Sequence, residues 1–323
     1  MFGEKFSPYH SSSALNHSAR LVAVIDIGTN SVRLLIAQKE PHQIICLKQK
    51  LETTRLGRDL KKRQGVLTPE GIKVSYQAVE NYYHYCQEEG VSCLKVIGTS
   101  ALREAVNGDE FVKLIGQKLN LEVEILSEKQ EAFLSYHGAV NSLDFPEQEI
   151  TFIDVGGGST EVVWRASREL KFQSFPAGAL RLQDDFVNTD PPAKEEIQEM
   201  ENYVSRMLQP YRPFWGGSTL LGTGGTVTSL AAVKKGLTRD QPQLLHGVIL
   251  KQEEVENMLH HFLSQPKEQR QNIVGLPSDR ADIIIPGTLM VNVWLKQCGK
   301  KQLVISEGDL LAGAITEKQR III

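Results

Sequence analysis

Apolar residues along this chain gather in short runs, and two of these runs end alike. Val24-Ile25-Asp26-Ile27-Gly28-Thr29-Asn30-Ser31 leads from apolar positions into an aspartate, then one more apolar residue, a glycine and a closing serine. The same order returns 128 residues later in Phe152-Ile153-Asp154-Val155-Gly156-Gly157-Gly158-Ser159. Apolar runs resume beyond each turn, at Leu34-Leu35-Ile36 and Val162-Val163-Trp164, so each copy reads as strand, tight turn, strand. A second landmark repeats: Val96-Ile97-Gly98-Thr99 and Leu220-Leu221-Gly222-Thr223 lie 124 residues apart, each between an apolar run and a helical pattern. Two landmarks in the same order predict two related domains.

The rest of the pattern alternates helices and strands, which argues for an α/β fold. Thr68-Pro69 opens a helix that runs to Glu89 before Gly90, with Thr as N-cap and Pro in the first turn. Leu94–Ile97 reads as a strand, Asp109–Leu119 as a helix and Leu121–Leu126 as a half-exposed strand. Ser127 and Gln130 form a capping-box pattern for a helix to about Val140. Further helices are predicted at 193–208, 226–235, 252–264 and 279–297, the last kinked by Pro286. Gln302–Ile305 is a short strand, Asp309–Lys318 a closing helix, and Met1–Arg20 a loose tail.

Composition narrows the function classes. In 323 residues, 39 acidic side chains face 36 basic ones, for a net charge of −3. Nothing global attracts phosphate, which argues against duplex nucleic acid as a partner. One stretch departs from this balance: Lys48–Arg63 holds seven cations and two anions, +5 in sixteen residues. It is either a solvated face or an attractor for a polyanion. The longest uncharged run, Pro213–Val233, carries five Gly and six Ser/Thr, so no membrane span is expected. Cys46, Cys86, Cys93 and Cys298 include no C-x-x-C pair. With no apolar leader in the first twenty residues, they read as thiols of a reducing cytoplasm.

The two turns carry the chemistry. An aspartate ends each buried strand, glycines let backbone amides approach an anion, and Ser and Thr add hydroxyl donors. Two such loops facing each other would grip a phosphate chain from both sides. Gly28, Thr29, Asn30 and Ser31 form one set, and Gly156, Gly157, Gly158 and Ser159 the other. Neither is a G-x-G-x-x-G fingerprint, since a strand follows.

On these residues, and on Gly98–Arg103, Glu131-Ala132, Asp154–Glu161, Gly222–Thr226 and Arg280–Asp282, the chain resembles the exopolyphosphatase / guanosine pentaphosphate phosphohydrolase family. That family lies within the actin-like ATPase and sugar-kinase superfamily. The likeness spans roughly Leu21 to Ile315 and matches the short, two-domain form. It implies two ribonuclease-H-like α/β domains with a cleft between them. Domain I would take residues 21–137 plus about 302–323, and domain II 138–301. The implied reaction is hydrolysis of the terminal phosphate of polyphosphate, or of the 5′-phosphate of guanosine pentaphosphate, with Mg²⁺ as cofactor. A homodimer stays open.

The resemblance places the catalytic base at Glu131. Gly224 joins the two turns as a phosphate contact, and Asp154 and Glu161 would hold Mg²⁺ directly or through water. Arg33 and Arg103 each follow a phosphate turn, where they either neutralise substrate or form ion pairs within their own domain. The sequence departs from the family's Ser-Gly-x-Glu-Glu-Ala at Glu128 and Gln130, and it lacks the usual arginine between Ser306 and Gly313. The superfamily also permits a phosphotransferase, and the altered Ser127–Ala132 loop admits a non-catalytic binder of polyphosphate or guanosine tetraphosphate.

Overall fold

The computed structural model describes residues 5–7, 20–40, 43–143, 150–167, 169–215, 219–237 and 244–316. In chain order the first part contains β1 (Lys5–Ser7), β2 (Arg20–Ile27), β3 (Ser31–Lys39), β4 (Gln43–Thr53), α1 (Pro69–Glu88), β5 (Cys93–Gly98), α2 (Ser100–Glu104), α3 (Gly108–Leu119), β6 (Val123–Ile125) and α4 (Glu128–Val140). The second contains β7 (Ile150–Val155), β8 (Thr160–Ala166), β9 (Glu169–Phe175), α5 (Ala179–Phe186), α6 (Lys194–Leu208), β10 (Thr219–Thr223), α7 (Gly225–Lys235), β11 (Ile249–Lys251), α8 (Gln252–Leu263), α9 (Lys267–Arg270), α10 (Ile284–Cys298), β12 (Gln302–Ile305) and α11 (Leu310–Thr316).

The strands form two sheets, ordered β1-β4-β3-β2-β5-β6 and β11-β12-β10-β7-β8-β9. In both, a three-stranded antiparallel meander is extended by two parallel strands: β4-β3-β2 by β5 and β6, and β9-β8-β7 by β10 and β12. The repeat seen in the sequence is thus a repeat of a whole ribonuclease-H-like sheet. Asp26 lies across from Arg33 in the first, and Asp154 across from Glu161 in the second.

Side chains alternate across each sheet. Ala23, Ile25 and Ile27 pack with Ala78 and Val79 of α1 and Phe111 and Ile115 of α3. Val22 and Val24 face Leu134 of α4 and Leu310, Leu311 and Ala314 of α11. In the second sheet Ile153 and Val155 pack among Met200, Val227, Leu289 and Trp294. Ile150 and Phe152 face Ala132 and Tyr136 of α4. Helices α4 and α11 therefore fill the space between the sheets. Asp26 shares the face of Val22 and Val24, and Asp154 that of Ile150 and Phe152, so both aspartates project into the same interlayer.

Local signals set the helix ends. The Thr68 hydroxyl accepts the Gly71 N–H at 2.9 Å. Ser127 and Gln130 close a reciprocal capping box at the start of α4, with the Gln130 Oε1 accepting the Ser127 N–H at 3.0 Å. Pro286 falls in the first turn of α10, where an N–H has no intrahelical partner, so it does not kink the helix. The segment expected to begin that helix is a separate 3₁₀ turn, Ser278–Arg280. The strand expected over 121–126 is limited to Val123–Ile125.

Three boundaries differ from expectation. Lys5–Ser7 pairs parallel with β4, taking up backbone groups of what would be an edge strand, so part of the predicted tail is sheet. Residues 1–4, 8–19 and 317–323 lie outside the described residues, among them the last two positions of the expected closing helix. Strand β12 pairs with β10 and β11, so the chain returns to the first domain after Ile305 and not at about 302. Helix α4, assigned to domain I, packs its apolar face on the second sheet. Among the described residues no helix is long and apolar enough to cross a membrane.

The α4–α11 crossing is built on glycine. A methyl at Gly138 would lie 1.9 Å from the Asp309 carbonyl oxygen, and one at Gly313 1.9 Å from that of Leu134. Gly138→Ala is expected to destabilise the protein by about 3 kcal/mol, the upper range for overpacking, by forcing the helices apart. A shift in urea midpoint equivalent to under about 0.5 kcal/mol, the range of a neutral surface change, would show that the crossing tolerates separation.

Candidate active site

The turns between β2 and β3 and between β7 and β8 close with the same hydrogen bond. Gly28 N–H donates to Ser31 O at 3.0 Å, and Gly156 N–H to Ser159 O at 3.0 Å. In both turns the carbonyls are fastened from behind. Thr29 O accepts from Gly57, and Asn30 O from Thr54 and Arg55, at 2.9–3.0 Å. Gly156 O accepts from Ala179, and Gly157 O from Leu180 and Arg181, at 2.9–3.0 Å, in the first turn of α5. Anchoring the carbonyls behind leaves the amide edge of each turn toward the cleft, an arrangement suited to an anion.

The turns touch each other. A methyl at Gly158 would lie 2.5 Å from both Thr29 Oγ1 and Ser100 Oγ, and one at Gly157 2.9 Å from Asn30 Cβ. Glycine at these positions is thus a requirement of the contact between loops. Gly224 has φ +95°, and a methyl there would strike Asp154 Oδ1 at 2.6 Å. It caps α7, whose N-terminus opens on the same cleft.

Of the residues singled out in the sequence, Gly28, Thr29, Asn30, Ser31, Arg33, Glu131, Asp154, Gly156, Gly157, Gly158, Ser159, Glu161 and Gly224 all line this one cleft. Arg103 does not. It donates to Glu131 Oε2 and to the Leu126 carbonyl, each at 2.8 Å, which is the ion pair within its own domain that the sequence left open. Arg33 reaches the cleft already engaged. Its Nε and Nη2 donate to Asp26 Oδ2 at 2.9 and 2.7 Å, and its Nη1 to Asp309. The cleft adds Thr99, Ser100, Gly225, Thr226 and Arg280. The Gly98-Thr99-Ser100 and Gly222–Thr226 landmarks were visible signals for four of these. Arg280 had only its place in the Arg280–Asp282 motif.

The cleft is crowded with carboxyls out of water. Burial pushes Glu131 up to about 7, against the Arg103 charge, with Asp26 and Asp154 adding to the rise. Burial likewise raises Asp154 to about 6, opposed by Arg33 and aided by Asp309 and Asp26. Glu161 rises well above the usual range through burial and the charges of Glu131 and Asp154, although Ser174 Oγ donates to it at 2.9 Å. Asp26 is also raised, first by burial, and its buried Oδ1 has no hydrogen-bond partner among the described residues. An orphaned oxygen beside carboxyls that resist ionisation is an environment completed by a cation. Among the described residues no three His, Cys, Asp or Glu side chains converge as a ready-made metal cage. Magnesium needs none, since it binds through one or two carboxylates together with water and substrate phosphates.

A second cavity of about 370 Å³ adjoins the cleft and shares Arg33, Gly224, Gly225 and Arg280 with it. Leu34, Leu51, Ala232 and Leu245 give it apolar walls, with Thr228 and Ser229 as hydroxyls.

A profile of the Ppx/GppA phosphatase family matches residues 35–320. Exopolyphosphatase 2 of Mycobacterium tuberculosis is 28% identical over 311 residues, covering 90% of this chain and 96% of the relative. The crystal structure of the Aquifex aeolicus Ppx/GppA family member is 30% identical, with a TM-score of 0.77 over 92% of this chain and 96% of that one. An exopolyphosphatase structure from Cytophaga hutchinsonii, at 24% identity, shares the fold with a TM-score of 0.84, covering 92% and 96% of the two chains. With a family match over most of its length and a structural relative 30% identical across nearly the whole chain, this chain belongs to the Ppx/GppA phosphatase family.

Proposed function

We propose that the chain hydrolyses the terminal phosphoanhydride bond of inorganic polyphosphate and releases orthophosphate. One observation carries this reading: two glycine turns meet over a single cleft in which the buried carboxyl of Glu131 stands. The name of the mycobacterial relative, an exopolyphosphatase, points the same way. In this reading the turns, Ser31, Ser159 and the Gly224 end of α7 hold phosphate oxygens. Glu131 takes a proton from water as its oxygen bonds to the terminal phosphorus and the bond to the bridging oxygen breaks. Arg103 fixes the Glu131 carboxylate and does not bind phosphate. A group poised near 7 is a base of suitable strength at neutral pH. Asp154 and Glu161 would hold Mg²⁺, with Asp26 Oδ1 as a further oxygen donor. Bound there, the ion supplies charge neutralisation for the phosphate oxygens. All four cysteines are free thiols, which supports a reducing, cytoplasmic setting.

A second reading, guanosine pentaphosphate as substrate, is favoured by the adjoining cavity. Its apolar walls and hydroxyls suit a nucleoside better than an all-anionic chain. Phosphate release measured side by side from long polyphosphate and from pentaphosphate decides between the two.

Glu131→Gln should keep the fold while kcat falls by ~10²–10⁴, the range for loss of a general base. The wild-type kcat/KM should climb with pH along an acid limb at or below about 7, and the variant should lose that limb. Near-full turnover in the variant would remove Glu131 from the chemistry.

The raised carboxyls also tie stability to pH. A carboxyl held above its unfolded value favours the folded state in acid, and this contribution fades as pH rises through the folded value. For Asp154 it is lost between the ordinary value of 3.8 and about 6. Between about pH 4 and pH 7 the free protein should therefore lose urea resistance, and Asp154→Asn should lose less. Magnesium should restore the wild type at the upper pH and leave the variant unmoved. Identical pH dependence in both proteins would contradict the buried-charge picture.

A further inference from the structure

We infer that Arg55 is a positioning residue that mounts Arg280 over the phosphate cleft when the two domains are closed on each other. The inference rests on the reading above, in which the cleft receives a phosphate chain. Arg55 belongs to the basic stretch Lys48–Arg63, and the contacts of that stretch are largely ion pairs. Lys48 pairs with Glu89 at 2.6 Å, and Lys61 reaches Asp185 of the second domain at 2.9 Å. The Asp59 N–H donates to Asp184 at 2.7 Å. The cations are spent chiefly on carboxylates of this chain, several of them across the domain boundary.

Arg55 has two connections of different kind. Its backbone is fastened to the first phosphate turn: the N–H groups of Thr54 and Arg55 both donate to Asn30 O, at 3.0 and 2.9 Å. To do so Arg55 adopts φ 54°, a left-handed conformation that a side-chain-bearing residue holds only when its surroundings impose it. Its side chain crosses to the second domain. Both terminal nitrogens meet the Asp282 carboxylate, Nη2 to Oδ1 at 2.9 Å, and Nη2 also donates to the Asp279 carbonyl at 3.1 Å. Thr53 adds a hydroxyl bond to the Asp279 carboxylate.

These partners flank one residue. Asp279 and Asp282 stand on either side of Arg280, on and just after the 3₁₀ turn Ser278–Arg280. Arg280 lines the cleft, with its guanidinium against Gly225, where an added methyl would lie 1.9 Å from Nη1. The pair between Arg55 and Asp282 is partly buried, with side chains 20% and 13% exposed. A two-pronged arginine–carboxylate pair of this kind fixes geometry. Separation of the domains would break both grips on the Arg280 turn together. Closure would set Arg280 at a defined distance from Asn30, because one residue holds both. The cation that meets a transferring phosphoryl group would then be assembled only in the closed state.

The test uses Arg55→Lys, Arg280→Ala and their combination, with phosphate release from tripolyphosphate and calorimetric titration of pyrophosphate as readouts. Arg280→Ala should lower kcat by ~10²–10³, as for loss of one transition-state donor. Arg55→Lys keeps the charge and loses the two-pronged grip. It should lower kcat about tenfold or more, and it should add nothing in the Arg280→Ala background, as expected for residues acting as one unit. Multiplicative losses, or an Arg55→Lys enzyme with wild-type kcat, overturn the inference. Asp282→Asn, from the opposite side of the pair, should reproduce Arg55→Lys, and it carries the test if Arg55→Lys fails to fold. If the wild type releases no phosphate, the functional reading falls, and the titration still judges the mounting. Arg55→Lys should weaken pyrophosphate binding in the wild-type background only, and equal weakening in both backgrounds overturns it.

Discussion

The separation of the two sheets is set by three glycines. Gly138, Gly308 and Gly313 let α4 and α11 meet backbone to backbone, with clearances of about 2 Å for any added methyl. Helix α4 follows the first sheet yet packs on the second, and α11 follows the second sheet yet packs on the first. The pair is thus a crossed tie between domains. Asp26 and Asp154 end strands on the faces that this pair covers, so the distance between them is fixed by helix packing. The cleft inherits its width from a hydrophobic layer that takes no part in the chemistry.

The same tie carries charge into the site. Asp309 precedes α11, its Oδ1 accepts the Leu311 N–H at 2.9 Å, and its other oxygen binds Arg33. Its carbonyl is the group that Gly138 makes room for. One residue therefore caps the closing helix, seats it on α4 and neutralises the cation next to Asp26. A carboxylate held this way engages Arg33 from a second side, and in the proposed reading the task of meeting phosphate falls to backbone amides and Arg280. Preorganised amides suit that task, because they cost no charge burial and need no reorientation when the anion arrives.

Much of this was legible in the sequence. The strand–turn–strand copies were readable because a buried strand that ends in Asp and Gly is a strong local signal, and its recurrence excluded coincidence. Helix starts at Thr68 and Ser127 were readable because capping is local. Strand β4 was not, because its residues Lys48, Gln49 and Lys50 register as a basic run and break the apolar pattern begun by Ile44–Leu47. Strand β9 and helix α5 were missed for similar reasons. The role of the basic run was hidden because its partners, Glu89, Asp185 and Asp282, lie about 40 to 230 residues away, and a sequence shows charges without showing pairs. Arg103 followed a phosphate-type turn, and only the fold could turn it toward Glu131.

The repeat is symmetric in backbone and asymmetric in charge, and the asymmetry gives the cleft a direction. Arg33 and Glu161 occupy equivalent places, each across the sheet from its domain's aspartate. In the first domain the pair is Asp26 and a cation, and Asp309 shares that cation. In the second it is Asp154 and a second acid, within reach of the charge of Glu131. The second-domain side therefore pairs acid with acid across the sheet, beside Glu131. An arginine across from one aspartate and a glutamate across from the other leave the second-domain side the one in need of positive charge, and in the proposed reading this separates the holding of the phosphate chain from the chemistry at its end.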